Sequence, residues 1–375
     1  PQLLNIDNDF IDMSSVMDNI PIIGRNLTGG IINKKTGIRV TSHTKRGPRP
    51  KQEDRVTVVP DIDQTLPEHT IAEPPTPPRA FFAVYDGHGG DECVRLLQSH
   101  FLNAARQHPQ FRQSACGDDS GDLVHALRDT CDAVDETICR ALSKTGDTSG
   151  GAALFVVWDK DERRLTVANV GDCRAVLGRF SSTSGGGNKA VVTTLLTKKQ
   201  HRVSCPEESK RVIREGGRVR NSRFNGVLAL TRSFGDVPHK ISSCYNNNYY
   251  YPRSGSNSNN DERTRSTRRF GGPLTPIPDI TVHDIDERDE FMVLASDGLW
   301  DVMPPPVVVN TVRTALADNA AAGGGGGSHN VDAMAERLVN EAFRRGSVDN
   351  VAVIVVFFHQ GGGDDASTMA IAAAS

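Results

Sequence analysis

The sequence predicts a layered α+β fold. Runs such as FFAVY (81–85), FMVLA (291–295) and VAVIVVFF (351–358) have the length and β-branching of buried strands. Helical periodicity appears in separate blocks, with Val94, Leu97, Phe101 and Ala105 on one face and Leu123 to Leu142 on another. Few β-α-β units are evident, which favours stacked layers over a doubly wound parallel sheet.

The elements follow in order. FFAVY ends in Asp86-Gly87-His88-Gly89-Gly90, and residues 91–107 then read as an amphipathic helix. Residues 122–143 place Leu123, Leu127, Cys131, Val134, Ile138 and Leu142 on the apolar face of a longer one. LTVANV and CRAVL (165–177), separated by Gly171-Asp172, read as a hairpin. Ser204-Cys205-Pro206-Glu207 reads as a capping box opening a short helix to Glu215. Residues 331–345 give a helix stopping near Gly346. Four segments break the pattern: 60–79, 180–189, the low-complexity 241–272 and the Gly-rich 318–329. They read as surface insertions. Residues 360–375 read as a disordered tail, and residues 1–24 as an N-terminal arm.

Composition narrows the function. A net charge of −3 over 375 residues gives no basic surface for nucleic acid. The seven cysteines contain no CxxC pair, so no zinc-ribbon or redox motif is supported. They read as reduced thiols of a cytoplasmic or nuclear protein. No apolar run approaches the roughly 18 residues of a membrane span. A monomer is the default expectation.

The chemistry lies in acids beside strands and turns: Glu53-Asp54, Asp86, Asp172, Asp297 and Asp349. Carboxylates at strand ends are rigidly held yet reach solvent, which suits Mg²⁺ or Mn²⁺. Two such ions roughly 3.5–4 Å apart can serve phosphoryl transfer. Arg49, four residues before Glu53, has the planar fork that matches phosphoryl oxygens. Each piece also has a plain explanation: a strand–Asp–Gly corner alone reads first as a turn, and Glu-Asp as solvated surface.

The motifs together resolve this. RPKQEDR (49–55), FFAVYDGHGG (81–90), LTVANVGDCRAVL (165–177), the stretch 207–236 ending in RSFGD, VLASDGLWDV (293–302) and SVDNVAVIVV (347–356) occur in this order. The set resembles the metal-dependent type 2C Ser/Thr protein phosphatases, the PPM family, over roughly residues 25–358. The resemblance implies two stacked antiparallel β-sheets flanked by antiparallel helix pairs, an α-β-β-α sandwich with the metal site at one edge. It implies one catalytic domain over 25–359 acting on phosphoSer and phosphoThr proteins through a metal-bridging hydroxide. By the same resemblance Asp86 bridges two Mg²⁺ or Mn²⁺ ions. Glu53 and the Gly87 carbonyl complete one shell, and Asp297 and Asp349 hold the other. Asp172, sharing Asp297, holds a weaker third ion. Arg49 grips the phosphate, His88 protonates the leaving oxygen, and Asp54 supports the shell.

Two stretches depart from the family pattern. SGGAALFVVW (149–158) lacks the hydroxyls usual before this strand, and LTKKQHRV (196–203) has Gln200-His201 where Asp-His is frequent. A catalytically silent scaffold is the competing class, but Glu53, Asp86, Asp297 and Asp349 are all present. A phosphatase for small phosphomonoesters is a third reading, separable by comparing substrates.

Overall fold

The structure, a computed structural model, describes residues 27–33, 36–62, 78–113, 120–180, 191–241, 272–321 and 332–358. The expected arm, the tail and most of the four insertions lie outside these residues, as does the Arg-rich stretch 263–269. The chain runs through β1 (Leu27–Asn33), β2 (Ile38–Lys45), β3 (Arg55–Val59) and β4 (Arg79–His88). Helices α1 (Glu92–Gln107), α2 (Pro109–Gln113) and α3 (Ser120–Thr145) follow. Next come β5 (Gly150–Asp159), β6 (Arg164–Val170), β7 (Arg174–Phe180) and β8 (Val191–Leu195). A smaller segment holds α4 (Pro206–Arg214), β9 (Val219–Arg220), β10 (Arg223–Phe224), β11 (Phe234–Gly235) and α5 (Val237–Ile241). The chain ends with β12 (Asp279–Asp284), β13 (Asp289–Ala295), α6 (Asp297–Trp300), α7 (Pro305–Ala321), α8 (Met334–Arg344) and β14 (Val351–Phe358).

Two antiparallel sheets result, ordered β1-β2-β14-β13-β7-β8 and β12-β6-β5-β4-β3, with β11 added to β5. The period of two along β4 explains the layers. Phe81, Ala83 and Tyr85 face α1 and α3, where Leu97, Phe101, Leu127 and Ile138 cover them. Ala80, Phe82 and Val84 face the other sheet and meet Leu177, Leu294 and Ile354. Beyond that sheet, Val293, Val353 and Val355 pack on Val308 and Val312 of α7 and Leu338 and Val339 of α8. Both faces of the central strands are therefore buried, which is why β4, β5, β13 and β14 read as unbroken apolar runs. The stacked rings of Phe101 and Phe155, 3.6 Å apart, fasten α1 to β5. This is the expected α-β-β-α order.

Two local expectations are corrected. Residues 165–177 are no hairpin: β6 pairs with β5 and β12, whereas β7 pairs with β13 and β8 in the other sheet. Gly171-Asp172 is a crossing between sheets, turned by Gly171 at φ +108, a backbone angle that glycine reaches without a steric penalty. A Gly-Asp pair between two β-rich runs signals a sharp turn either way; which sheet receives the second run is decided by distant strands. Nor does Ser204 form a capping box. Pro206 takes the first turn of α4, so Cys205 becomes the cap residue, without a side-chain capping bond.

Register explains why the predicted acids meet. Arg55 at the start of β3 lies opposite Tyr85 near the end of β4. Ala295 at the end of β13 lies opposite Val353 near the start of β14 and Arg174 at the start of β7. The residues just outside these positions are 49–54, 86–90, 172, 297 and 349. All fall at one edge of the stacked sheets.

Candidate active site and metal centre

Asp86, Asp172 and Asp297 each offer a carboxylate oxygen, and these atoms all lie within 4.8 Å of one another. The end of β4 delivers Asp86, the inter-sheet crossing delivers Asp172, and the β13–α6 corner delivers Asp297. Burial pushes the Asp86 carboxyl well above the usual range, and Asp54, Asp297, Asp172 and Asp349 push it further. Asp297 is pushed up to about 7 by burial and by Asp172 and Asp301, against the opposing pull of Arg202. Crowded, half-desolvated carboxylates are unfavourable until a cation offsets them. An all-oxygen donor set fits Mg²⁺ or Mn²⁺ rather than a soft metal. Cys173 does not change that: burial, then Asp86, pushes its thiol up, so it stays protonated.

Glu53 and Asp349 stand outside this trio but close to it. Asp349 adds repulsion at Asp86 and Asp297, and both Glu53 and Asp349 add it at Asp54. Glu53 Oε1 accepts from the Gly90 N–H at 2.9 Å. Asn350 ties this strip in place: its Oδ1 accepts from Glu53 N–H at 2.7 Å, and its Nδ2 donates to the carbonyls of Arg46 and Lys51. Arg49 Nη2 donates to Asp349 Oδ2 at 2.6 Å, with half the Arg49 side chain exposed. Gly87 sits between Asp86 and His88, paired with Gly151 of β5. Asp54 points inward, accepting from Ser296 Oγ at 2.6 Å.

His88 has a fixed partner. Its Nε2 lies 2.9 Å from both carboxylate oxygens of Asp236, which also accepts from Ser233 Oγ at 2.6 Å. Burial opposes a charge on His88, but Asp236 outweighs it and holds the imidazole above its usual range. Asp236 adopts φ +51, a left-handed angle an aspartate tolerates when its side chain is held. A Cβ at Gly150 would collide with that carboxylate. The glycine in SGGAALFVVW thus makes room for the His88–Asp236 pair.

The family profile described as Protein phosphatase 2C matches residues 38–351. The chain belongs to the protein phosphatase 2C family. It is a metal-dependent Ser/Thr protein phosphatase. Its similarity to "Probable protein phosphatase 2C 8" of Arabidopsis thaliana is 30% identity, over 79% of this chain and 74% of that one. The "Integrin-linked kinase-associated serine/threonine phosphatase 2C" of Homo sapiens is 29% identical over 83% of this chain and 70% of its own. The solved serine-threonine phosphatase 2C from Toxoplasma gondii shares the fold, with TM-score 0.62 at 21% identity over 90% of this chain and 99% of that one. No described helix of this phosphatase 2C is long and apolar enough to cross a membrane.

Four residues of the phosphatase 2C site escape a sequence reading. Asp236 is visible in RSFGD, and Asn350 adjoins Asp349, but neither pattern names its partner. Asp301 lies four residues after Asp297, a helical spacing that could have suggested a shared face. Arg202 has no local signal, yet its Nε and Nη2 contact Asp172 and Asp297, each at 2.6 Å. The departure at Gln200 has a visible use: its Nε2 donates to the Asp172 carbonyl at 3.2 Å, while the neighbouring His201 Nδ1 accepts from the Gly171 N–H at 3.0 Å, so both pin the crossing that carries Asp172.

Proposed function

We propose that this phosphatase hydrolyses phosphoserine and phosphothreonine with two Mg²⁺ or Mn²⁺ ions. Asp86 would be shared between them, with Glu53 and the Gly87 carbonyl on one side and Asp297 and Asp349 on the other. The convergence of carboxylate oxygens from half-buried Asp86, buried Asp172 and half-buried Asp297 within 4.8 Å supports this most directly. Bound cations would acidify a water and offset phosphoryl charge. Arg49 supplies fork-shaped donors at the exposed rim, where a phosphate can compete with Asp349 for them.

His88 supplies the leaving-group proton. Asp236 takes its Nε2–H, so Nδ1 is the nitrogen left for the serine or threonine oxygen. An alkoxide leaves poorly without a proton, and a positioned acid contributes typically ~10²–10⁴-fold. Residues 25–359 act as one catalytic domain, because motifs from Arg49 to Asp349 are all needed at one edge. We take the working form to be a monomer. Free thiols at Cys93, Cys131, Cys139 and Cys173 suit the cytoplasm or nucleus.

The test is phosphothreonine-peptide and p-nitrophenyl phosphate hydrolysis at neutral pH, with Mn²⁺, Mg²⁺ or EDTA, for wild type and Asp86→Asn. Metal-dependent peptide turnover lost in the variant supports the reading. No turnover from folded wild type would favour a binding scaffold. Turnover of the small ester alone would favour a small-molecule phosphatase.

A further inference from the structure

We infer that the Arg202 guanidinium is this chain's own occupant of the third cation position, so that Asp172 and Asp301 are neutralised by an arginine rather than by a further metal ion. The inference rests on the proposed two-ion centre and concerns what lies beside it.

Three nitrogens of one guanidinium meet three carboxylates. Nε stands 2.6 Å from Asp172 Oδ2, Nη2 2.6 Å from Asp297 Oδ2, and Nη1 3.3 Å from Asp301 Oδ1. A planar fork of five donors can serve several carboxylates at once and keeps its charge at any working pH. A guanidinium offers donors only, so each carboxylate lone pair it takes is lost to a divalent ion, and its own positive charge repels one placed beside Asp172 and Asp301.

The side chain is also delivered there by its backbone. On one side, His201 N–H donates to the Gly171 carbonyl at 2.9 Å, while His201 Nδ1 accepts from Gly171 N–H. On the other, Val203 N–H donates to the Ala229 carbonyl at 2.8 Å, and Arg202 itself bridges Leu230. The residue is thus clamped between the inter-sheet crossing and the smaller segment, with its side chain three-quarters buried.

A second cation reinforces the first. Arg174, two residues after Asp172, interacts with both Asp172 and Asp301. Its Nε is buried without a hydrogen-bond partner. Two guanidiniums beside Asp172 and Asp301 leave little negative potential for a further divalent ion. The third oxygen donor set is present in this chain, but it is already spoken for. Asp297 and Asp172 each meet Arg202 through Oδ2, whereas Asp86 makes no bond to it among the described bonds, so Asp86 and the other oxygen of Asp297 serve the two-ion centre while the guanidinium charge sits between Asp172 and Asp301.

The experiment is a Mn²⁺ titration of the full chain, followed by calorimetry and by the loss of the free-Mn²⁺ paramagnetic signal, up to millimolar ion. Wild type, Arg202→Ala and Arg202→Gln are compared, each checked for folding by circular dichroism. The expected result is one additional, weaker Mn²⁺ in either neutral variant relative to wild type, abolished again when Asp172→Asn is added. An unchanged ion count in the folded variants overturns the inference, as does a further ion in wild type that Asp172→Asn removes. The wild-type count itself tests the two-ion reading: fewer than two ions defeats that reading, while the variant-minus-wild-type difference still decides the role of Arg202. Should Arg202→Ala fail to fold, Arg202→Gln and the wild-type titration carry the test.

Discussion

Two clusters of buried charge sit a few residues apart in this phosphatase, and they are opposites. Around Glu208 every charge is answered. Its Oε1 accepts from Arg232 Nη2 at 2.7 Å, and its Oε2 from Arg211, Arg232 and Thr231. Arg232 goes on to Asp279 at 2.8 Å, and Asp279 lies 3.2 Å from His201 Nε2. Burial works against the Glu208 charge, but Arg232 and Arg211 win and lower it to about 2. At the acid edge, burial and mutual repulsion push Asp54, Asp86 and Asp297 upward instead. The contrast separates a finished structural network from a site that is completed only by cations. On the proposed reading, function occupies the cluster where Arg202 answers Asp172 and Asp297 but burial and repulsion among the acids still outweigh it.

The sharpest way to break that contrast is to neutralise one member of each cluster. Asp86→Asn should abolish Mn²⁺-dependent phosphothreonine hydrolysis, beyond the roughly 100-fold typical when only an outer-shell partner of a metal is lost. Yet the metal-free variant should melt at a higher temperature than metal-free wild type, because a repelled buried carboxylate has been removed. Wild-type activity, or a lower metal-free melting point, would contradict the account. Next in size, His88→Ala should lose ~10²–10⁴ in kcat on phosphothreonine but far less on p-nitrophenyl phosphate, whose leaving group needs no proton. Equal losses on both substrates would remove His88 from the acid role.

Glu208→Gln should do the reverse of Asp86→Asn. Breaking a buried charge network costs about 3–5 kcal/mol, measured by urea unfolding, while Mn²⁺ affinity should change less than about tenfold. The smallest expected effect is the opposite response of the clusters to pH. The Glu208 contribution is full above its ordinary 4.5 and is lost as pH falls through about 2. Asp297, raised to about 7 from 3.8, binds its proton more tightly folded than unfolded, so metal-free protein should gain stability as pH falls from about 7. Added Mn²⁺ should stabilise progressively less over that same fall, since protons compete for the ligands. Melting curves between about pH 8 and pH 2, with and without Mn²⁺, check both signs.

Much of this was legible in the sequence. The buried strands, the two long helices and the acids at strand ends follow from periodicity and from which residues follow each apolar run. What escaped was contact across sheets. Gly171-Asp172 turns sharply whether it closes a hairpin or changes sheet, and only the pairing of β7 with β13 decides. Asp236 and Arg202 lie 148 and 95 positions from His88 and Asp297, the partners they contact. No local pattern encodes such distances. Ser204 resembled a cap, but the fixed φ of Pro206 moved the helix start by one residue.

The most direct test of the central claim is the shift in melting temperature that Mn²⁺ causes in wild type, Asp86→Asn and Glu208→Gln. At one hundred times Kd a bound ion adds about 2.7 kcal/mol, or roughly 4 °C in a domain of this size. The account predicts that shift in wild type and in Glu208→Gln, and its loss in Asp86→Asn. An equal shift in Asp86→Asn, or none in folded wild type, would contradict it.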